Sequence, residues 1–160
     1  MGGGQVNTSR VGALCESITF SVEGIPASKG SYRPVTGRSR KTGKPVTRLI
    51  PMDKKERPWR EKVRQTVLAA MTDNHFDGFA RGVPVELCVG FVVVRPKTVR
   101  RYSPTVKPDL DKLLRCLMDG LTDSGIIHDD AQIINIAASK GYARSPDDHP
   151  GCVVRLTAIY

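Results

Sequence analysis

The chain has 160 residues, with 25 Lys and Arg against 16 Asp and Glu, a net charge of +9 and a pI near 9.7. That length suits one domain with a hydrophobic core of its own and no need of covalent staples. No apolar run approaches the ~20 residues of a membrane span and no signal-peptide core is visible, so a cytoplasmic protein with no membrane partner is expected.

The charge is concentrated. Between Lys29 and Arg64, thirteen Lys and Arg stand against Asp53, Glu56 and Glu61, a net of +10, which leaves −1 for everything else. Cys15, Cys88, Cys116 and Cys152 are too widely spaced for a metal knuckle or a redox pair. Cys88 and Cys152 fall in apolar, strand-like runs and read as buried reduced thiols. Val6 stands where a myristoylation signal starting at Gly2 wants Ser or Thr.

Residues 1–15 are Gly-rich and polar and read as a loose arm, ahead of a domain over 16–160. Ile18, Phe20 and Val22 alternate with Thr19, Ser21 and Glu23, the pattern of a half-buried strand ended by Gly24 and Pro26. From Ala27 to Pro51 there is no apolar periodicity, only Gly, Pro, Ser and Thr among Lys29, Arg33, Arg38, Arg40, Lys41, Lys44 and Arg48. This segment is expected to be a mobile basic loop laid along phosphates, with Tyr32 available to stack on a base. A basic run by itself would equally suit an acidic protein or a membrane surface.

Trp59, Val63, Val67, Ala70 and Met71 mark one face of a helix, with Pro58 tolerable in its first turn. Trp59 lies on that buried stripe and reads as core. Arg57, Arg60, Lys62 and Arg64 populate the early turns and are expected in part to continue the phosphate track. Val83 to Val94 reads as a central strand. The next stretch, from Arg95 through Arg100, Arg101, Tyr102 and Lys107, is a second basic loop, and its Tyr102 is placed to wedge or stack at a branch point.

That loop leads to Lys107-Pro-Asp-Leu-Asp111, read as a strand running into a helix. In an extended chain Asp109 and Asp111 would aim one way, about 6.5 to 7 Å apart, with Asp111 as N-cap. Leu113, Leu114, Leu117, Met118 and Leu121 give the helix, and Gly125 its left-handed stop. A second acidic pair, Asp129 and Asp130, follows. Ile134, Ile136 and Ala138 then alternate up to Lys140, a strand whose end brings a cation to the same region. Val153 to Ile159 is the last strand, expected to form a hairpin with it.

If three carboxylates meet, each charged pair at about 5 Å costs roughly 3 kcal/mol at an effective dielectric near 20, so something positive must sit among them. A divalent metal and a basic side chain are the two candidates, and metal-dependent phosphodiester chemistry fits the first. Each Asp taken alone also suits a cap or a solvated turn. His128 is poorly suited as a ligand, because Mg²⁺ prefers oxygen. The element order β-α-β-α-β-β defines a small single α+β domain, a mixed β-sheet carrying two helices.

Lys107-Pro-Asp-Leu-Asp-Lys-Leu-Leu-Arg115, Leu117-Met-Asp-Gly-Leu121 and Gly125-Ile-Ile-His-Asp-Asp-Ala-Gln-Ile133 resemble the signature of the RusA family of Holliday junction resolvases, small metal-dependent endonucleases often carried by phages and prophages. Upstream, Gly24 to Lys29 is similar to the family's N-terminal turn and Trp59-Arg60 to its first helix. The resemblance implies a RusA-like fold, Asp109, Asp111 and Asp130 as catalytic ligands of Mg²⁺ (or Mn²⁺), no small-molecule cofactor, and a homodimer acting on four-way junctions and other branched DNA by paired symmetric nicks. Two positions depart from the pattern. Lys112 replaces an Asn, and Arg115 replaces a catalytic Lys, keeping the charge but unable to give up a proton. Lys29, Arg33, Arg38, Arg40, Lys41, Lys44, Arg100, Arg101, Lys107 and Lys140 are the expected DNA contacts. A non-catalytic nucleic-acid-binding protein and another metal-dependent phosphodiesterase remain the alternatives.

Overall fold

The structure is a computed structural model that describes residues 16–30, 32–51, 54–145 and 147–160. The expected N-terminal arm and Cys15 lie outside the described residues. The elements are β1 (Ser17–Glu23), β2 (Tyr32–Arg38), β3 (Pro45–Pro51), α1 (Glu56–Asp73), β4 (Val85–Val93), α2 (Leu110–Ser124), a 3-10 turn (Asp130–Gln132), β5 (Ile133–Tyr142) and β6 (Gly151–Ala158).

Four strands form one mixed sheet in the order β1-β6-β4-β5, with β4 antiparallel to β6 and parallel to β5. Alternation decides which face is buried. Ile18, Phe20 and Val22 of β1, Val85, Leu87, Val89, Phe91 and Val93 of β4, and Val154, Leu156 and Ala158 of β6 all enter one core. The stripes Trp59, Val63, Val67 of α1 and Leu113, Leu117, Leu121 of α2 close over it. The small α+β domain, its mixed sheet and its two helices are as the periodicities predict.

Three local expectations are overturned. The basic stretch after Ala27 is not a structureless loop, because Tyr32–Arg38 and Pro45–Pro51 pair antiparallel as a separate two-stranded ribbon. Its β-branched residues supply the strand propensity, with Val35 opposite Arg48 and Thr36 opposite Thr47, and Gly43 at φ 66° makes the turn. The two last strands are not a hairpin, since β4 lies between β5 and β6. A parallel β4–β5 pair needs a crossover, and α2 provides it. Nor does a strand precede α2: the N-cap is Asp109, extended at ψ 137°, and Asp111 lies inside the first turn. The extended-chain argument for aiming the two carboxylates together therefore fails.

Candidate functional site

The segment from Val94 to Asp109 has no sheet partner among the described residues, so its carbonyls need other donors. Two cations supply them. The Arg95 guanidinium donates to the carbonyls of Val99 (3.0 Å), Arg100 (2.7 Å) and Arg101 (3.1 Å). Lys140 Nζ donates to those of Val106 (2.8 Å) and Pro108 (2.7 Å). Lys140, at the far end of β5, thus reaches the segment next to Asp109 as its strand placement predicts, but it holds backbone there.

At the start of α2, Asp109 pairs with Lys112 (3.3 Å) and Asp111 with Arg115 (3.6 Å). Asp109 and Lys112 also line a cleft of about 370 Å³ with Ser28, Gly30, Lys107 and Pro108. The opposite wall is tied down in two places, by Lys29 N–H donating to the Lys112 carbonyl (2.9 Å) and by Gly30 N–H donating to Glu56 Oε2 (3.1 Å). Glu56 is only 3% exposed. No sequence motif singled it out, and its place in the first turn of α1 is the one available signal.

Asp129 and Asp130 lie elsewhere. Asp129 caps the 3-10 turn, accepting from Ala131 N–H (2.8 Å), and Gln132 closes the capping box. Asp130 opens that turn, exposed, immediately before β5. Gln132 fixes the turn to the start of β4 by donating to the carbonyls of Ala80 (2.9 Å) and Val83 (3.1 Å). From Ile133 to Lys140 the strand rises about 23 Å, and α2 is about 22 Å long. Asp130 therefore sits at the end of α2 and β5 opposite to Asp109 and Asp111. Among the described residues no three His, Cys, Asp or Glu are grouped to hold a metal ion. Asp109 and Asp111 are oxygen donors of the kind Mg²⁺ accepts, but a three-carboxylate site does not fit within one chain.

The expected DNA-contacting cations fall into two sets. Arg33, Arg38, Arg40, Lys41 and Lys44 are exposed on or at the turn of the β2–β3 ribbon, and Arg100 and Lys107 are exposed near Asp109. The others are engaged within the protein. Lys29 pairs with Asp119 (2.8 Å), Lys140 holds loop carbonyls, and Arg101 donates to Thr105 Oγ1 (3.0 Å). On α1, Arg60 forks onto Asp123 and approaches Asp119 (3.7 Å), while Arg64 pairs with Glu61 (2.8 Å). The Arg60 hydrogen bonds hold the Asp123 carboxyl below the usual range. Trp59 is core, as expected. Burial pushes the Cys116 and Cys152 thiols up to about 12, whereas Cys88 is only half-buried, on the open face of the sheet.

Fold and site together define a small α+β protein with an acidic helix entrance bordered by exposed cations, the equipment of a nuclease. Compared with known families, residues 31–157 match Endodeoxyribonuclease RusA. The chain belongs to the RusA family of endodeoxyribonucleases. No curated protein matches it. No described helix is long and apolar enough to cross a membrane.

Proposed function

We propose that this protein is a cytoplasmic, Mg²⁺-dependent endodeoxyribonuclease that resolves four-way junctions and related branched DNA by paired symmetric nicks, acting as a homodimer. The observation that carries the dimer is the separation of the acidic residues to opposite ends of α2 and β5. Between those ends runs an apolar edge with no partner among the described residues: Ile134 is 65% and Ile136 41% exposed on edge strand β5, and Leu110, Leu114 and Met118 of the adjacent α2 are only partly buried. A second copy laid antiparallel along that edge covers it and brings its own Asp130 to the first copy's Asp109 and Asp111. Two equivalent sites follow from the two-fold axis, as two symmetric nicks require.

A divalent cation, Mg²⁺ or Mn²⁺, bound by such a shared set supplies positive charge to the phosphate and acidifies water. Lys112 and Arg115, which neutralise Asp109 and Asp111 here, are within reach of the same phosphate, and the Arg115 fork suits its non-bridging oxygens. The ribbon cations Arg33, Arg38, Arg40, Lys41 and Lys44, with Arg100 and Lys107, hold the backbone on either side.

The test uses Asp109→Asn and Asp130→Asn on a synthetic mobile four-way junction at fixed salt, with and without Mg²⁺. Each variant alone should keep junction affinity and lose cutting. Mixing the two should restore nicking, because a mixed dimer has one site with every carboxylate intact. Failure of the mixture to nick overturns the shared site. Wild-type protein that binds but never cuts would be a DNA-binding protein only, and equal cutting of linear duplex would mark a general phosphodiesterase.

A further inference from the structure

The segment leading to Asp109 also roofs a second cavity, of about 250 Å³, lined by Arg95, Tyr102, Pro104, Lys140, Tyr142 and Arg144. Its walls are fixed. Arg95 winds the roof by its three carbonyl hydrogen bonds and lies 5.8 Å over the Tyr142 ring. Pro104 is buried, and Lys140 anchors the roof at both Val106 and Pro108. On the other side Arg144, whose backbone N–H donates to Asp148 Oδ2 (2.7 Å), lays its guanidinium 5.4 Å from the centre of the Tyr102 ring.

Three properties define what this cavity takes. Its charged lining residues are all cations, so the ligand is anionic or has anionic neighbours. Tyr102 is 73% exposed although it is preordered by Arg144, which leaves a ring face for stacking. Tyr142 is only 7% exposed, with its hydroxyl buried and without a hydrogen-bond partner among the described residues, so its ring forms a fixed wall of the cavity under Arg95. The volume lies below the roughly 300–1,000 Å³ of sites for larger small molecules and suits a single planar ring system.

We propose that this cavity receives one unstacked nucleobase of the branched DNA, stacked on Tyr102 beside Arg144, next to the phosphate presented to Asp109. Lys140 joins the two places physically, since it lines the cavity and bonds the carbonyl of the residue preceding Asp109. A base leaves the stack most cheaply where pairing is already interrupted, so the cavity favours a branch point over a continuous duplex. The inference rests on the nuclease reading for its ligand.

The experiment places 2-aminopurine at each position flanking the crossover of a four-way junction and titrates the full chain in EDTA, with gel shift in parallel. The fluorescence of one position should rise several-fold at saturation. Tyr102→Ala should abolish that rise and weaken junction binding by roughly tenfold, the loss of one stacking platform, while linear duplex binding is unchanged. Tyr142→Phe, which keeps the ring, should lower the signal less. Saturated binding with no rise at any position overturns the proposal, as does an undiminished rise in both Tyr102→Ala and Arg144→Ala. A wild-type chain that shows the rise but never cuts with Mg²⁺ sinks the nuclease reading and leaves the base cavity standing. No binding to any branched DNA overturns both.

Discussion

Single side chains hold this protein together where backbone has no ladder, and Lys140 is the plainest case. Lys140→Met removes both donors from the carbonyls of Val106 and Pro108, bonds that contribute about 1.5–3 kcal/mol each when dry and less at this partial exposure. Amide exchange over 105–109 should quicken and the cutting rate fall, while the salt dependence of junction binding stays nearly constant. A reduced salt slope would instead mark Lys140 as a phosphate ligand. Asp123 makes a second prediction. Arg60 depresses its carboxyl below the ordinary value of 3.8, so the pair contributes stability above about pH 4 and loses it as pH falls through the lower folded value. Asp123→Asn should therefore flatten the acid limb of a urea-midpoint curve. Cys116 and Cys152 act with the opposite sense: buried thiols raised to about 12 contribute below an ordinary value of 9.0 and lose that contribution at alkaline pH. At this scale the sequence was readable by type. Asp109, Asp111 and the cations could be picked out, but whether a Lys faces a phosphate or a carbonyl depends on where the backbone turns, which no residue pattern encodes.

Among the elements, the two helices meet at a close approach. A Cβ on Gly120 would lie 2.7 Å from Val63 Cγ1 and 3.2 Å from the Arg60 carbonyl oxygen. Gly120→Ala should cost about 1–3 kcal/mol as overpacking, read as a lower urea midpoint with unchanged slope. The β2–β3 ribbon is the element for DNA affinity. Replacing Arg38, Arg40, Lys41 and Lys44 by Ser should lower the salt slope of junction binding by about 0.9 for each phosphate no longer neutralised, and leave the urea midpoint in place. Elements that bury a stripe were legible, such as α2 through Leu113, Leu117 and Leu121 and β4 through its Val-rich alternation. The ribbon was not, because Val35, Val46, Leu49 and Ile50 remain exposed, with Arg33 opposite Ile50 and Arg48 opposite Val35, so no core selects one face. The β5–β6 error has a different origin: consecutive strands suggest a hairpin, and only the long-range parallel pairing with β4 overrides it.

For the whole molecule, the governing fact is that Asp130 lies opposite Asp109 and Asp111. Order along the chain suggests convergence; the lengths of α2 and β5 forbid it within one copy. Ile134→Lys with Ile136→Lys should leave folding intact, since both side chains are exposed, but convert a dimer to a monomer in sedimentation and abolish cutting. A dimer that survives these charges would place the interface elsewhere.

The Gly30–Glu56 hydrogen bond ties the chain together at the root of the ribbon, and no residue of 33–50 enters the core cluster. The β2–β3 ribbon should therefore tolerate exchange with little cost to the core. Doubling a loop adds only about 0.6 kcal/mol of closure entropy, so arms of other lengths and compositions can be grafted onto the same clasp. Substrate preference can then diverge quickly while the sheet and its acidic ends stay as they are.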